Sequence, residues 1–316
     1  MTILRVTALL QFLGSSGLHG PEHVVRHGFV PLSTKPLNYY PPDGKCPYRW
    51  GPFEEIRLGL DFDWHGCYPE WRYRVQDALI KELMLKKTYY SSGGIAPPEL
   101  NGQWVVFTAG AMGAGKGFVM KYLYDNHLMP LDSFVVVDPD WIRMNLPEWD
   151  YLVETIPDSA GSVVQKECGY LAEIAREALI REKKNVLVDG SLRDTRWALK
   201  DITQLKAIGL KIGVIHVTGS LVTIQQQAES REKGEEKKER RHIEPAWVVN
   251  SFKGSRKSFK RLSRLSLLLD FAVQIYNPGK DGEPLLKVFR IHGKDQALKI
   301  ENIKHVLLSS SPSMPS

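Results

Sequence analysis

Apolar positions in the second part of the chain come in short unbroken runs, and acids, glycines or hydroxyl residues gather where each run stops. Val105 to Thr108, Phe134 to Val137, Val186 to Val188, Lys211 to Val217 and Phe271 to Tyr276 have the length and β-branched content of buried strands. Helical periods separate them. One helix is predicted from Phe118, one over Ser162 to Lys183 with Val164, Cys168, Leu171, Ala175 and Ala178 on a stripe, one over Thr195 to Ile208, and one ending at Ser230. This alternation of strand and helix implies right-handed crossovers and a parallel sheet, so the fold class is α/β. Lys287 to Ile291 is expected to add an edge strand and Glu301 to Leu308 a terminal helix, with residues 309–316 a disordered tail.

The first hundred residues read differently. Proline, glycine and aromatic residues dominate, Tyr39 to Gly44 reads as turns, and only Pro69 to Lys87 carries a helical period. The expected organisation is an irregular N-terminal extension over 1–100, followed by a domain over 101–308. At 316 residues and 43% hydrophobic content the chain can bury a full core. No apolar run reaches the roughly 18 residues of a membrane span, and Ile3 to Leu13 is broken by Arg5, Thr7 and Gln11. The net charge of +6 suits an anionic ligand without demanding nucleic acid. Cys46, Cys67 and Cys168 have no framework spacing, and a chain of this size has no need of disulfides, so reduced thiols and a cytoplasmic location are expected.

The chemistry starts at the end of the first of these strands. Gly110, Ala111, Met112, Gly113, Ala114, Gly115, Lys116 and Gly117 hold the G-x-x-x-x-G-K spacing of a phosphate-binding loop between a strand and a helix. In such a loop main-chain N–H groups converge on phosphate oxygens, the lysine reaches the β/γ phosphates, and the helix dipole adds positive potential. Gly117 stands where a magnesium-binding hydroxyl is usual.

The second strand ends in Asp138-Pro139-Asp140, two acids at the edge where open α/β sheets bind ligands. They can hold Mg²⁺ or take a proton from an attacking hydroxyl; equally, Asp138 can start a turn and Asp140 cap a helix beginning at Trp141. Periodicity puts Glu173 and Glu177 on the solvent side of their helix. Residues 229–245 are mixed in charge and read as an exposed lid. Lys253, Arg256, Lys257, Lys260, Arg261 and Arg264 form a basic helix face that solvation explains better than nucleic acid. His19, His23 and His27, four apart, with His65, Cys46 and Cys67 downstream, suggest zinc only weakly, because Gly20 and Pro21 interrupt the helix and no Cys-x-x-Cys occurs.

Taken in order, the loop, Val137 to Asp140, Lys166 to Glu173, Val188 to Asp194, Arg231 and Arg241-His242-Ile243 resemble the zeta toxin family of P-loop small-molecule kinases over roughly residues 100 to 280. The resemblance implies a P-loop NTPase-type three-layer fold with strand order 2-3-1-4-5. It also implies an ATP- and Mg²⁺-dependent kinase whose acceptor is a small hydroxyl compound; bacterial members use a UDP-linked amino sugar. It assigns Lys116 to the β/γ phosphates, Asp140 to the base, Arg231 and Arg241 to clamping the transferring phosphate, and Glu173, Asp189, Ser191 and Arg193 to the acceptor pocket. Asp138 and Asp189 are the expected magnesium positions, through water. Residues 1–100 have no counterpart in the family pattern and are the expected surface for a protein partner. Two alternatives stay open: a kinase of nucleic-acid ends, and a degenerate nucleotide-binding module without activity.

Overall fold

A computed structural model describes residues 33–42, 46, 51–85, 96–232, 244–279 and 282–308. Two compact units account for the chain. One consists of residues 1–85, 139–178 and 235–242, the other of 86–138, 179–234 and 243–316.

The second unit contains the sheet. Strands β1 (Trp104–Ala109), β2 (Phe134–Val137), β3 (Asn185–Val188), β4 (Lys211–Thr218), β5 (Phe271–Tyr276), β6 (Leu285–Ile291) and β7 (Lys294–Asp295) lie in the order β2-β3-β1-β4-β5-β6-β7. The first five are parallel, as expected, with β1 in the middle between β3 and β4. The expected edge strand is antiparallel to β5 and starts two residues earlier than its apolar pattern suggests. Every residue of β1 is buried, which is why it reads as an unbroken apolar run rather than an alternating one.

The helices cover both faces of the sheet. They include α4 (Lys116–Asp125), α9 (Thr195–Ala207), α10 (Leu221–Glu232), α11 (Pro245–Leu262) and α12 (Asn302–Leu308). Val119, Met120 and Leu123 anchor α4 in the same core as Val106, Leu187, Ile215 and Val273. Burial of each such side chain contributes about 1.5–3 kcal/mol.

The other unit is helical. It contains α1 (Glu54–Gly59), α2 (Phe62–His65), α3 (Glu70–Leu85), α5 (Pro139–Met144), α6 (Trp149–Thr155), α7 (Pro157–Val163) and most of α8 (Gln165–Arg181). Helix α3 is the one expected from sequence; α1 and α2 are too short to show a period. Contrary to expectation, Cys46 and Cys67 form a disulfide, while Cys168 is free and buried. Next to that bond, Tyr39 and Cys67 exchange main-chain hydrogen bonds of 2.9 and 2.8 Å. The described part of the segment that the disulfide closes holds only the short helices α1 and α2, and a covalent closure limits the freedom of the unfolded chain there.

Arg72, on α3, is fully buried. Its Nε donates to Glu167 at 2.6 Å, its Nη1 to Glu148 at 3.0 Å and its Nη2 to both carboxylates. Gln76 adds a 2.7 Å bond to Glu167. Burial opposes the charge on Arg72, but Glu167 and Glu148 more than offset that and hold its pKa above the ordinary arginine value. Nothing in the local spacing of these residues announces the cluster. A sequence separation of 95 between Arg72 and Glu167 puts it beyond any periodicity argument.

Candidate functional site

In the sheet-containing unit the glycine loop joins β1 to α4, at the C-terminal edge of the central strand. Gly113 and Gly115 have φ of 82° and 77°, and Gly115 caps the N-terminus of α4. A Cβ at Gly113 would run into the carbonyl oxygen of Ile224, and one at Gly115 into the amide of Asn277. Only glycine satisfies both the dihedral and the space. The first-turn N–H groups of α4 have no intrahelical carbonyl to bond, which leaves them to an anion. Lys116 is the first residue of that helix and is half-buried; Gly117 is exposed.

Asn277, which follows β5, was not suggested by the sequence. Its Nδ2 donates to the carbonyl of Ala114 at 3.0 Å, its Oδ1 accepts from Gly279 N–H at 3.1 Å, and its own N–H donates to Thr218 at 2.7 Å. The buried amide thus fixes the loop to the end of β5, two strands away from β1 in the sheet. The only hint in the sequence was a polar residue placed where a strand stops.

The acid ending β3 comes to the same edge. Asp189 accepts a hydrogen bond from the hydroxyl of Thr108, the fifth residue of β1, and its N–H donates to Val137 at 2.9 Å. Thr108 Oγ1 in turn accepts from Gly190 N–H at 3.2 Å. The carbonyl of Ser191 takes the N–H of Gly110 at 3.2 Å. Asp189 and Ser191 are therefore brought to the glycine loop. Asp138 ends β2, beside β3 in the same parallel set. Arg193 is exposed, with its guanidinium 5.1 Å from the Trp247 ring centroid; Gly254 lets α11 approach its main chain, since a Cβ there would fall 2.8 Å from Arg193 O. The basic residues from Lys253 to Arg264 lie on exposed positions of α11 and the residues just after it, with Ser251, Ser255, Ser258, Phe259 and Leu262 buried.

The helical unit carries Asp140 and Glu173. Asp140 does not cap a helix beginning at Trp141: α5 starts at Pro139, whose fixed φ suits the first helical position, and Asp140 is inside the first turn. Its half-exposed carboxylate pairs with the buried guanidinium of Arg143, which also donates to Gln165 at 2.9 Å. Glu173 is not on a solvated face. Its side chain is only 20% exposed and lies 3.2 Å from Nε2 of His65, which is itself buried. Amphipathicity missed this because the partner comes from 108 residues earlier.

Among the described residues no group of three His, Cys, Asp or Glu side chains is arranged to hold a metal, and the disulfide removes Cys46 and Cys67 as thiolate ligands for zinc. Burial, with Glu167 adding to it, pushes the Cys168 thiol up to about 12, so it is an inert core residue rather than a nucleophile. Arg231 lies in α10, but its side chain, like Arg241, His19, His23, His27, most of the charged stretch 229–245 and the tail 309–316, lies outside the described residues. No helix of the described residues is long and apolar enough to cross a membrane.

The family model described as Zeta toxin matches residues 96–283. Among curated proteins none matches significantly. Solved structures with a similar fold include a chain of the PezAT chromosomal toxin–antitoxin system of Streptococcus pneumoniae. It is 15% identical, with a TM-score of 0.50 over 77% of this chain and 89% of that one. A chain of the AvrRxo1-ORF1:AvrRxo1-ORF2 complex with sulphate ions is 17% identical, with a TM-score of 0.52 over 86% of this chain and 81% of that one. A structure of the same pair with ATP gives 15% identity and a TM-score of 0.51, covering 86% and 80%.

Proposed function

Because the chain belongs to the zeta toxin family, we propose that it is a kinase that transfers the γ-phosphate of ATP to a hydroxyl of a small acceptor, with a nucleotide sugar as the first candidate. The observation that carries this reading is the glycine loop. Its backbone has the left-handed turns and the excluded Cβ positions of a phosphate cradle, at the head of a helix that offers free N–H groups.

In the proposed reaction Gly110 to Gly117 hold the triphosphate and Lys116 contacts the β/γ oxygens. The Asp140 carboxylate accepts the acceptor's hydroxyl proton as that oxygen bonds to the γ-phosphorus, the bond from the γ-phosphorus to the β–γ bridging oxygen breaks, and ADP leaves. Arg143 keeps Asp140 oriented. Arg231 and Arg241 are the proposed donors to the equatorial oxygens, and Glu173, Asp189, Ser191 and Arg193 line the acceptor. Mg²⁺, when bound, neutralises charge on the phosphate oxygens. Asp138 and Asp189 are the residues suited to hold it, through water, since Gly117 offers no hydroxyl.

Turnover of γ-labelled ATP against sugar nucleotides, free nucleotides and oligonucleotides tests the reading, with Lys116→Ala as the blank. Label appearing in one acceptor class, lost in the blank, supports it; Asp140→Asn should then abolish transfer and leave ATP binding intact. ATP binding with no labelled product in any class would favour the inactive nucleotide-binding module. A partner for residues 1–100 remains part of the proposal, tested by co-purification of the full chain.

A further inference from the structure

We infer that His65, outside the stretch matched by the family model, is a positioning residue for acceptor binding: it holds the Glu173 carboxylate in one orientation for its contact with the acceptor. This rests on the kinase reading and on the place of Glu173 in the acceptor pocket.

The ring of His65 is buried and its Nε2 is 3.2 Å from Glu173 Oε2. A carboxylate oxygen facing an imidazole nitrogen leaves the nitrogen as donor, so Nε2 carries the proton. The other nitrogen, Nδ1, finds no hydrogen-bond partner among the described residues. A histidine kept only to fill space would satisfy both nitrogens or be replaced by an apolar residue. Here the polarity of the ring serves one contact, the one to Glu173. Its flank is apolar, against Tyr170 with centroids 5.1 Å apart.

The surrounding chain is arranged to hold that ring. Asn38 Nδ2 donates to the His65 carbonyl at 2.9 Å. Two residues later Cys67 is fixed twice, by the disulfide to Cys46 and by the main-chain pair with Tyr39. Asp61 caps the short helix α2 through Trp64 N–H at 3.2 Å. Glu173, in contrast, is a long side chain on a helix surface with one carboxylate oxygen directed to His65; pinning that oxygen leaves the second to the acceptor, with its rotamer set in advance.

The test uses the full chain, γ-labelled ATP and the acceptor that the screen above returns, starting with a UDP-linked amino sugar as probe. His65→Ala should raise the acceptor KM about tenfold while the KM for ATP stays at the wild-type value. His65→Gln, which keeps an N–H donor, should recover part of the loss. In a Glu173→Ala background His65→Ala should add nothing further. Melting of each variant separates folding from positioning. An acceptor KM unchanged in His65→Ala, a parallel rise in both KM values, or additive effects of the two alanine changes would overturn the inference and leave the kinase reading standing. A wild-type chain that labels no acceptor would overturn both.

Discussion

In the sheet-containing unit the groups around the glycine loop are fixed by backbone geometry: left-handed glycines, a buried amide on a carbonyl, strand ends in register. The helical unit fixes its polar groups with charge. Arg72 lies between Glu148 and Glu167, Arg143 holds Asp140, and Arg57 pairs with Asp77. Backbone devices are local and cost little once the strands pair. Buried ion pairs pay a desolvation cost and return mainly a unique arrangement, so each depends on both partners being present. The sheet-containing unit should therefore tolerate changes away from the loop, and the helical unit should fail when a single charged partner is removed.

The contrast can be broken in activity or in stability. Lys116→Ala should cut phosphoryl transfer at least about a hundredfold with little change in melting, because the lysine is only half-buried and the loop's shape does not depend on it; single-turnover assays check this. Arg72→Met should lower the unfolding free energy by about 3–5 kcal/mol, since two buried carboxylates lose their cation. Replacing Glu148 and Glu167 by Leu in the same chain should recover most of that in urea titrations. If Arg72→Met alone is tolerated, the charge cluster does not organise its unit.

Reduction of Cys46–Cys67 should cost about 3 kcal/mol for a loop of 21 residues' separation, read as a lower melting temperature in dithiothreitol. The effect that is smallest at neutral pH, and grows only as the solution is acidified, lies in the sheet. Burial lowers the pKa of His216 to about 4, with Arg256 contributing. In the unfolded chain the ring titrates near its ordinary value of 6.5, so below that pH the unfolded state holds a proton that the native state refuses. The contribution is therefore complete above pH 6.5 and is lost as the pH falls toward 4, with a slope of about 1.4 kcal/mol per pH unit. Stability against pH for His216→Gln should lack this slope.

The sheet and its loop were legible because they are written locally. A glycine spacing after an apolar run is contained in a dozen residues, and the strand order follows from alternation together with the family resemblance. The helical unit was not, for the same reason in reverse. Arg72 reads as one more surface arginine on α3 until Glu148 and Glu167 are brought to it from 76 and 95 residues away. Glu173 was placed in solvent by its helix and in the pocket by resemblance; the fold puts it against His65. Asn277 carried only a weak positional signal, and the disulfide none, since the cysteines have no framework spacing and a chain of this size has no need of one.

Asn277 has one more property, which concerns the ageing of the protein. An asparagine usually deamidates when the next residue's main-chain nitrogen attacks its side-chain carbonyl, and the next residue here is Pro278, which has no N–H to lose. Conversion to aspartate would set a carboxylate oxygen against the Ala114 carbonyl, where a donor now sits. The proline thus shields the nucleotide loop from slow chemical wear during storage, and Pro278→Gly should shorten shelf life long before it alters the freshly made protein.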